Sequence, residues 1–215
     1  MGDIDDNFRD KLAIFNNLKS SNIELNPVVT ENFIPKEVKY ITEKQDLKQA
    51  KLVMGFRTGY NYKDLEYYEL QLFSLMYGGV FCSNLFQEVR EKHNFAYDIA
   101  SFLVPDSKVM IVSCGVDSEN VDATVKIVNE ELKKYQEGNI DEELLEIAKT
   151  NAISDLNEID DSPNAYINTL TKQILLDQNY TTEDVKNIVR GISKEDIMKQ
   201  AQNIYLDTVF VLTNK

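Results

Sequence analysis

The order of elements along these 215 residues predicts an α+β fold, a mostly antiparallel sheet with helices packed on one face. Three observations carry the prediction. Two strand-like runs open the main body, a hairpin joins the run from Phe95 to Val104 to Val109–Val116, and a block of amphipathic helices leads to a closing apolar run, Thr208–Thr213.

Phe8, Leu12, Phe15 and Leu18 recur at helical spacing and mark a first helix. Ser20-Ser21-Asn22 and the segment from Pro27 to Pro35 then read as extended linker. Residues 1–36 are expected to be a helix-and-linker arm, and residues 37–215 the domain proper. The domain opens with strands at Glu37–Lys44 and Lys51–Thr58, the second carrying Leu52, Met54 and Phe56 on one face. A helix is expected from Asp64 to Met76, with Gly78-Gly79 ending it.

The next segment is the most informative. Leu85, Phe86 and Val89 share the apolar face of a short helix that Ser83 is placed to cap with its hydroxyl, so Arg90 projects from the last turn. Asn94 suits a helix C-terminus. From Phe95 the chain partly alternates as a strand until Pro105 closes it, with Pro105-Asp106-Ser107 turning into Val109–Val116. A helix-end Arg90 and a strand-start Tyr97 then converge on one small volume. A guanidinium fork and a phenol hydroxyl, both donors, suit a peptide carbonyl or the oxyanion formed when water attacks it. The plainer alternative is a solvated Arg90 paired with Glu88, Glu91 or a more distant carboxylate, and a half-buried strand tyrosine.

Helices follow. Val121, Val125, Val128, Leu132 and Tyr135 form a stripe that Gly138 terminates. Further helices are expected at 141–158, 163–177 and 181–205, the last broken at Gly191-Ile192 with Ser193 as a new cap. Asp141-Glu142-Glu143 reads as a helix N-terminus, and Asp160-Asp161 as a turn ahead of Ser162-Pro163.

Composition narrows the function. Lys plus Arg number 23 against 36 Asp plus Glu, and 23 − 36 = −13, with no basic block to track phosphates, so nucleic acid and anionic membrane are not expected partners. No apolar run approaches the roughly 18 residues of a membrane span. Cys82 and Cys114 lack close spacing and are expected to be reduced core or near-core thiols, in keeping with a cytoplasmic chain. The N-terminal Met1-Gly2-Asp3-Ile4-Asp5-Asp6 lacks a signal-peptide pattern.

Gly78-Gly79, Ser83, Leu85-Phe86, Arg90-Glu91-Lys92 and Ala96-Tyr97 stand in the register of the Arg/Tyr signature of M16 (insulinase-type, inverzincin) metallopeptidases, in the C-terminal half. Asn94 and Phe95 replace the commoner Gly and Leu. The resemblance spans residues 37–213 and implies a two-layer M16/LuxS-like domain in which Arg90 and Tyr97 bind substrate, with Gly78, Gly79, Ser83 and Phe86 supporting the motif. Inverzincins bind zinc through H-x-x-E-H. This chain has one histidine, His93, and cannot build that site. The resemblance therefore implies no cofactor and no complete catalytic set here, with zinc expected in a zinc-bearing M16 half or a paralogous partner subunit. No nucleophile elbow, triad or phosphate loop is present. Two functions stay open: the substrate-binding half of a bipartite zinc peptidase acting on peptides, and a non-catalytic assembly subunit.

Overall fold

The computed structural model describes residues 7–8, 34–60, 64–176 and 178–214. Apart from residues 7–8, which are helical, the expected first helix and most of its linker lie outside these residues. Five strands form one sheet in the order β1-β5-β2-β4-β3, with β1 Lys39–Lys44, β2 Ala50–Arg57, β3 Ala96–Val104, β4 Val109–Val116 and β5 Tyr205–Thr213. The β1–β5 pair is parallel and every other pair antiparallel. Short β-rich runs with alternating apolar residues produce this. In β2, Leu52, Met54 and Phe56 are buried while Lys51, Val53, Gly55 and Arg57 turn away, so one sheet face is packed and the other open.

Among the described residues six α-helices make up the helical layer on the packed side: α1 Glu66–Ser74, α2 Val121–Gln136, α3 Glu142–Asp161, α4 Pro163–Leu176, α5 Thr182–Gly191 and α6 Lys194–Gln202. Their ends follow local chemistry. Asp141 caps α3 by accepting from the Glu143 and Leu144 N–H groups, and Thr181 and Ser193 head α5 and α6 with reciprocal capping boxes to Asp184 and Asp196. Gly138, at φ +83°, closes α2 in the left-handed region. One expectation fails: Asp160-Asp161 continue α3 instead of turning, and Ser162 forms the break, its Oγ accepting from Ala165 N–H at 3.3 Å.

Of the α2 stripe, Val128, Leu132 and Tyr135 reach the core. There Phe73, Tyr77 and Tyr135 form a cluster with ring centres 5.1–6.1 Å apart. The Tyr77 hydroxyl donates to the Val128 carbonyl and that of Tyr135 to Asn84 Oδ1 at 2.6 Å, so two phenols are buried without orphaning their O–H groups. The second hydrogen bond ties α2 to the start of the Arg90 helix.

Candidate functional site

The site begins where α1 runs on into a wider, π-wound turn, Leu75–Gly79. A β-carbon at Gly78 would lie 2.8 Å from the Ser101 backbone nitrogen and 3.0 Å from its Oγ. Only glycine lets the helix end rest on β3 at this distance. Ser101 Oγ secures the contact by donating to the Ser74 carbonyl at 2.6 Å.

After a turn at Val80–Ser83 the chain enters the motif helix, π-wound over Phe86–Lys92, with His93 N–H reaching back five residues to the Glu88 carbonyl. Asn94 ends it at φ 53°, its N–H on the Arg90 carbonyl and the Phe95 N–H on that of Val89. This is a left-handed helix end, where glycine is at ease and asparagine the next best residue, which accounts for the Asn94 replacement. Two expectations are corrected here. The Ser83 hydroxyl does not cap the helix: it is buried with no hydrogen-bond partner among the described residues, and only the Ser83 carbonyl engages the first turn, accepting from Gln87 N–H. Phe86 does not join Leu85 and Val89 in the core: it is half-buried at the surface, edge-on to the exposed Phe81 ring at 5.6 Å.

Tyr97 owes its orientation to a β-bulge. Ala96 pairs with Val116 and Asp98 with the adjacent Gly115, so Tyr97 is the extra residue between them. Strict alternation back from the buried Ile99 would turn Tyr97 into the core. The bulge instead buries Ala96 and leaves Tyr97 78% exposed, with Asp98 exposed beside it.

These devices bring Arg90 and Tyr97 together. The guanidinium carbon of Arg90 lies 4.6 Å from the Phe86 ring centre and 5.5 Å from that of Tyr97. Each contact is worth about 0.5–1 kcal/mol at an exposed site. Among the described residues the one ion pair of Arg90 is a loose one, Nε to Glu91 Oε1 at 3.6 Å. Its faces are thus held by rings while its terminal N–H groups keep their donor capacity. Arg90 lines a shallow groove of about 220 Å³ whose other walls are Gly78-Gly79-Val80-Phe81, Phe86 and the β3 residues Asp98, Ile99 and Ala100. Of the expected site residues, Gly78, Gly79, Phe86 and Arg90 line this groove, Tyr97 stacks at its border, and Ser83 stands apart as a buried residue. The sequence reading missed Phe81 and Asp98: an exposed aromatic in a turn carries no signal, and the bulge that sets Asp98 in place is invisible to a period-two pattern.

Zinc does not fit here. The imidazole of His93 has Nδ1 2.7 Å from the Glu88 carbonyl and its ring against Phe95, and among the described residues no group of three His, Cys, Asp or Glu side chains is placed to hold a metal ion. Glu88 is committed to Lys92 at 2.9 Å, which holds its carboxyl below the usual range. Cys82 and Cys114 are both free, as expected, but Cys82 is exposed and not near-core.

A two-layer α+β domain with a glycine-ended helix resting on a bulged tyrosine strand, and with no three-residue metal set among the described residues, matches the inactive, C-terminal type of M16 domain. The chain belongs to the family described as "Peptidase M16 inactive domain", whose family model matches residues 3–152. It is 33% identical over 184 residues to the "Probable inactive metalloprotease YmfF" of Bacillus subtilis (strain 168), covering 85% of this chain and 42% of that protein. It is 29% identical over 165 residues to an "Uncharacterized zinc protease" of Rickettsia bellii (strain RML369-C), covering 75% of this chain and 40% of that one. The chain thus spans well under half the length of these curated relatives. Among solved structures, a conserved protein from Enterococcus faecalis V583 shares the fold at a TM-score of 0.89 with 24% identity, covering 100% of this chain and 51% of that one. A protease from Helicobacter pylori does so at 0.81 with 17% identity, covering 99% and 53%.

Proposed function

We propose that this chain is the substrate-binding half of a bipartite zinc-dependent M16 peptidase working in the cytoplasm. Arg90 and Tyr97 donate to the peptide substrate. Zinc and its catalytic glutamate come from a complementary half, either upstream in a longer chain or in a paralogous subunit. The observation that carries this reading is Arg90 itself, stacked on Phe86 and Tyr97 with its N–H donors little used, at the wall of a groove. Support also comes from the fraction of the relatives' length that the chain covers and from the names of relatives described as zinc proteases. Two unpaired cysteines suit a reducing compartment.

The test is reconstitution with a zinc-bearing half, comparing Arg90→Ala and Tyr97→Phe with wild type at equal zinc content. If the donors tighten on a developing oxyanion, each variant loses about 2–4 kcal/mol of transition-state stabilisation and the loss falls on kcat. If they hold the ground-state carbonyl, KM rises and kcat is kept. The name "Probable inactive metalloprotease" borne by one relative favours a second reading, a non-catalytic assembly subunit. Wild-type kinetics in both variants, on a complex shown to assemble and hold zinc, would establish that reading instead.

A further inference from the structure

Strand β1 is exposed along all six of its residues, with Tyr40 70% and Ile41 45% accessible. Among the described residues it is one of the sheet's two edges, and the two differ. The bulge at Tyr97 breaks the regularity of β3, whereas β1 keeps an unbroken register against β5 from Lys39 to Lys44. A regular edge offers a row of unpaired N–H and C=O groups to another strand. Which groups those are follows from one hydrogen bond. Gln45 N–H donates to the Thr213 carbonyl, so the odd-numbered residues turn their backbone groups to β5, and Tyr40, Thr42 and Lys44 turn theirs outward. Beside β1 lies a groove of about 330 Å³, lined by Tyr40 and Thr42, by Val209 and Val211 of β5, and by Val121 and Val125, the two residues of the α2 stripe that stay half-buried.

We propose that β1 is the contact strand of a homodimer, in which two copies of this chain pair β1 with β1, antiparallel, about a twofold axis through Ile41. The proposal goes beyond the peptidase reading and does not depend on it. Backbone parity restricts the register first. Hydrogen-bonded residues of an antiparallel pair lie directly opposite, so an outward-facing even-numbered residue must meet another even-numbered one, and the axis passes through a residue and not between two. Charge then selects among the central choices. About Ile41, Lys39 faces the second copy's Glu43 and Glu43 its Lys39, while Tyr40 and Thr42 exchange main-chain hydrogen bonds. About Tyr40, Glu37 would face Glu43 and Lys36 would face Lys44; about Thr42, Lys39 would face Gln45 and Glu43 would face Ile41, leaving both charges unanswered. Among the described residues neither Lys39 nor Glu43 has an ion pair of its own, so both are available. In the Ile41 register the second copy's Tyr40 arrives beside Thr42 on the groove side and covers the valines. A six-residue strand pair is a small contact, so the dimer is concentration-dependent and not obligate.

Sedimentation equilibrium of the full chain over a concentration series reads the dimer, at physiological ionic strength so that screening confines the repulsion between two chains of net charge −13. Lys39→Glu and Glu43→Lys each set like charges opposite one another and should weaken self-association roughly tenfold. An equimolar mixture of the two variants restores every opposite-charge pair and should associate like wild type, a pattern that misfolding of either variant cannot produce. Register is read by Ile41→Cys in a Cys82→Ala background. The Ile41 pair is non-hydrogen-bonded, with Cα atoms about 4.5 Å apart and within disulfide range, so oxidation links the copies. Tyr40→Cys, whose counterpart lies offset along the strand, stays unlinked. A chain that remains monomeric at millimolar concentration overturns the proposal and leaves the edge to a strand of another protein. A dimer untouched by both charge reversals, a mixture that associates no better than its parts, or linkage through Tyr40→Cys and not Ile41→Cys places the contact elsewhere or in another register, and overturns it as well.

Discussion

Small side chains hold the geometry around Arg90, and their energetic roles differ in sign. Gly78 sits where any β-carbon would strike the Ser101 backbone, so Gly78→Ala must push the helix end off β3 and is expected to cost about 1–3 kcal/mol. Ser83 presents the opposite case. Its hydroxyl is fully buried without a partner among the described residues, and a polar group in that state opposes folding. Ser83→Ala should therefore be neutral or stabilising by about 1 kcal/mol. Urea denaturation of both variants checks the pair. A destabilised Ser83→Ala would point to a bond with a group outside the described residues. At this scale the sequence was informative about placement. That Arg90, Tyr97 and the glycine pair come together around one small volume was legible from their register. The failed hydroxyl cap and the half-buried, surface-facing Phe86 were not, because both depend on how a π-wound helix is rotated against its neighbours.

Strands and helix starts obey local rules here, and most were legible for that reason. The alternation in β2, the cap at Asp141 and the restart at Ser193 follow from residue type alone. The two π-wound segments and the bulge at Tyr97 were not legible, since each inserts a residue for the sake of a tertiary contact that no periodic template contains. The capping boxes carry a pH prediction. Hydrogen bonds from the Ser193 hydroxyl and then its backbone N–H hold the Asp196 carboxyl below its usual value. Because the folded value is depressed, the stabilisation is complete above the unfolded value and is lost as pH falls through the folded one. The stability difference between wild type and Asp196→Asn should therefore be full at neutral pH and shrink in the acid range. Denaturation curves at a series of pH values measure it, and a difference independent of pH would show that the carboxylate charge plays no part in the cap.

Across the whole molecule, the two cysteines sample opposite environments. Cys82 is exposed at the turn before the motif helix, whereas Cys114 lies in the core face of β4, where burial, with Asp98 next, pushes its thiol up to about 12. A thiol reagent at neutral pH should label Cys82 quickly and Cys114 only when the sheet opens, so the second labelling rate should follow denaturant stability. Equal rates for both would mean that the sheet opens locally. The sheet's strand order has a consequence for biosynthesis. The last strand is wedged between β1 and β2, and among the described residues it is the only partner of β1. A nascent chain can set the β3–β4 hairpin beside β2, with β4 in the middle, while β5 is still inside the ribosome, but β1 has nothing to pair with among the described residues until β5 has emerged. β1 is therefore fastened to this domain late, and a chain truncated before Tyr205 would leave β1 unpaired.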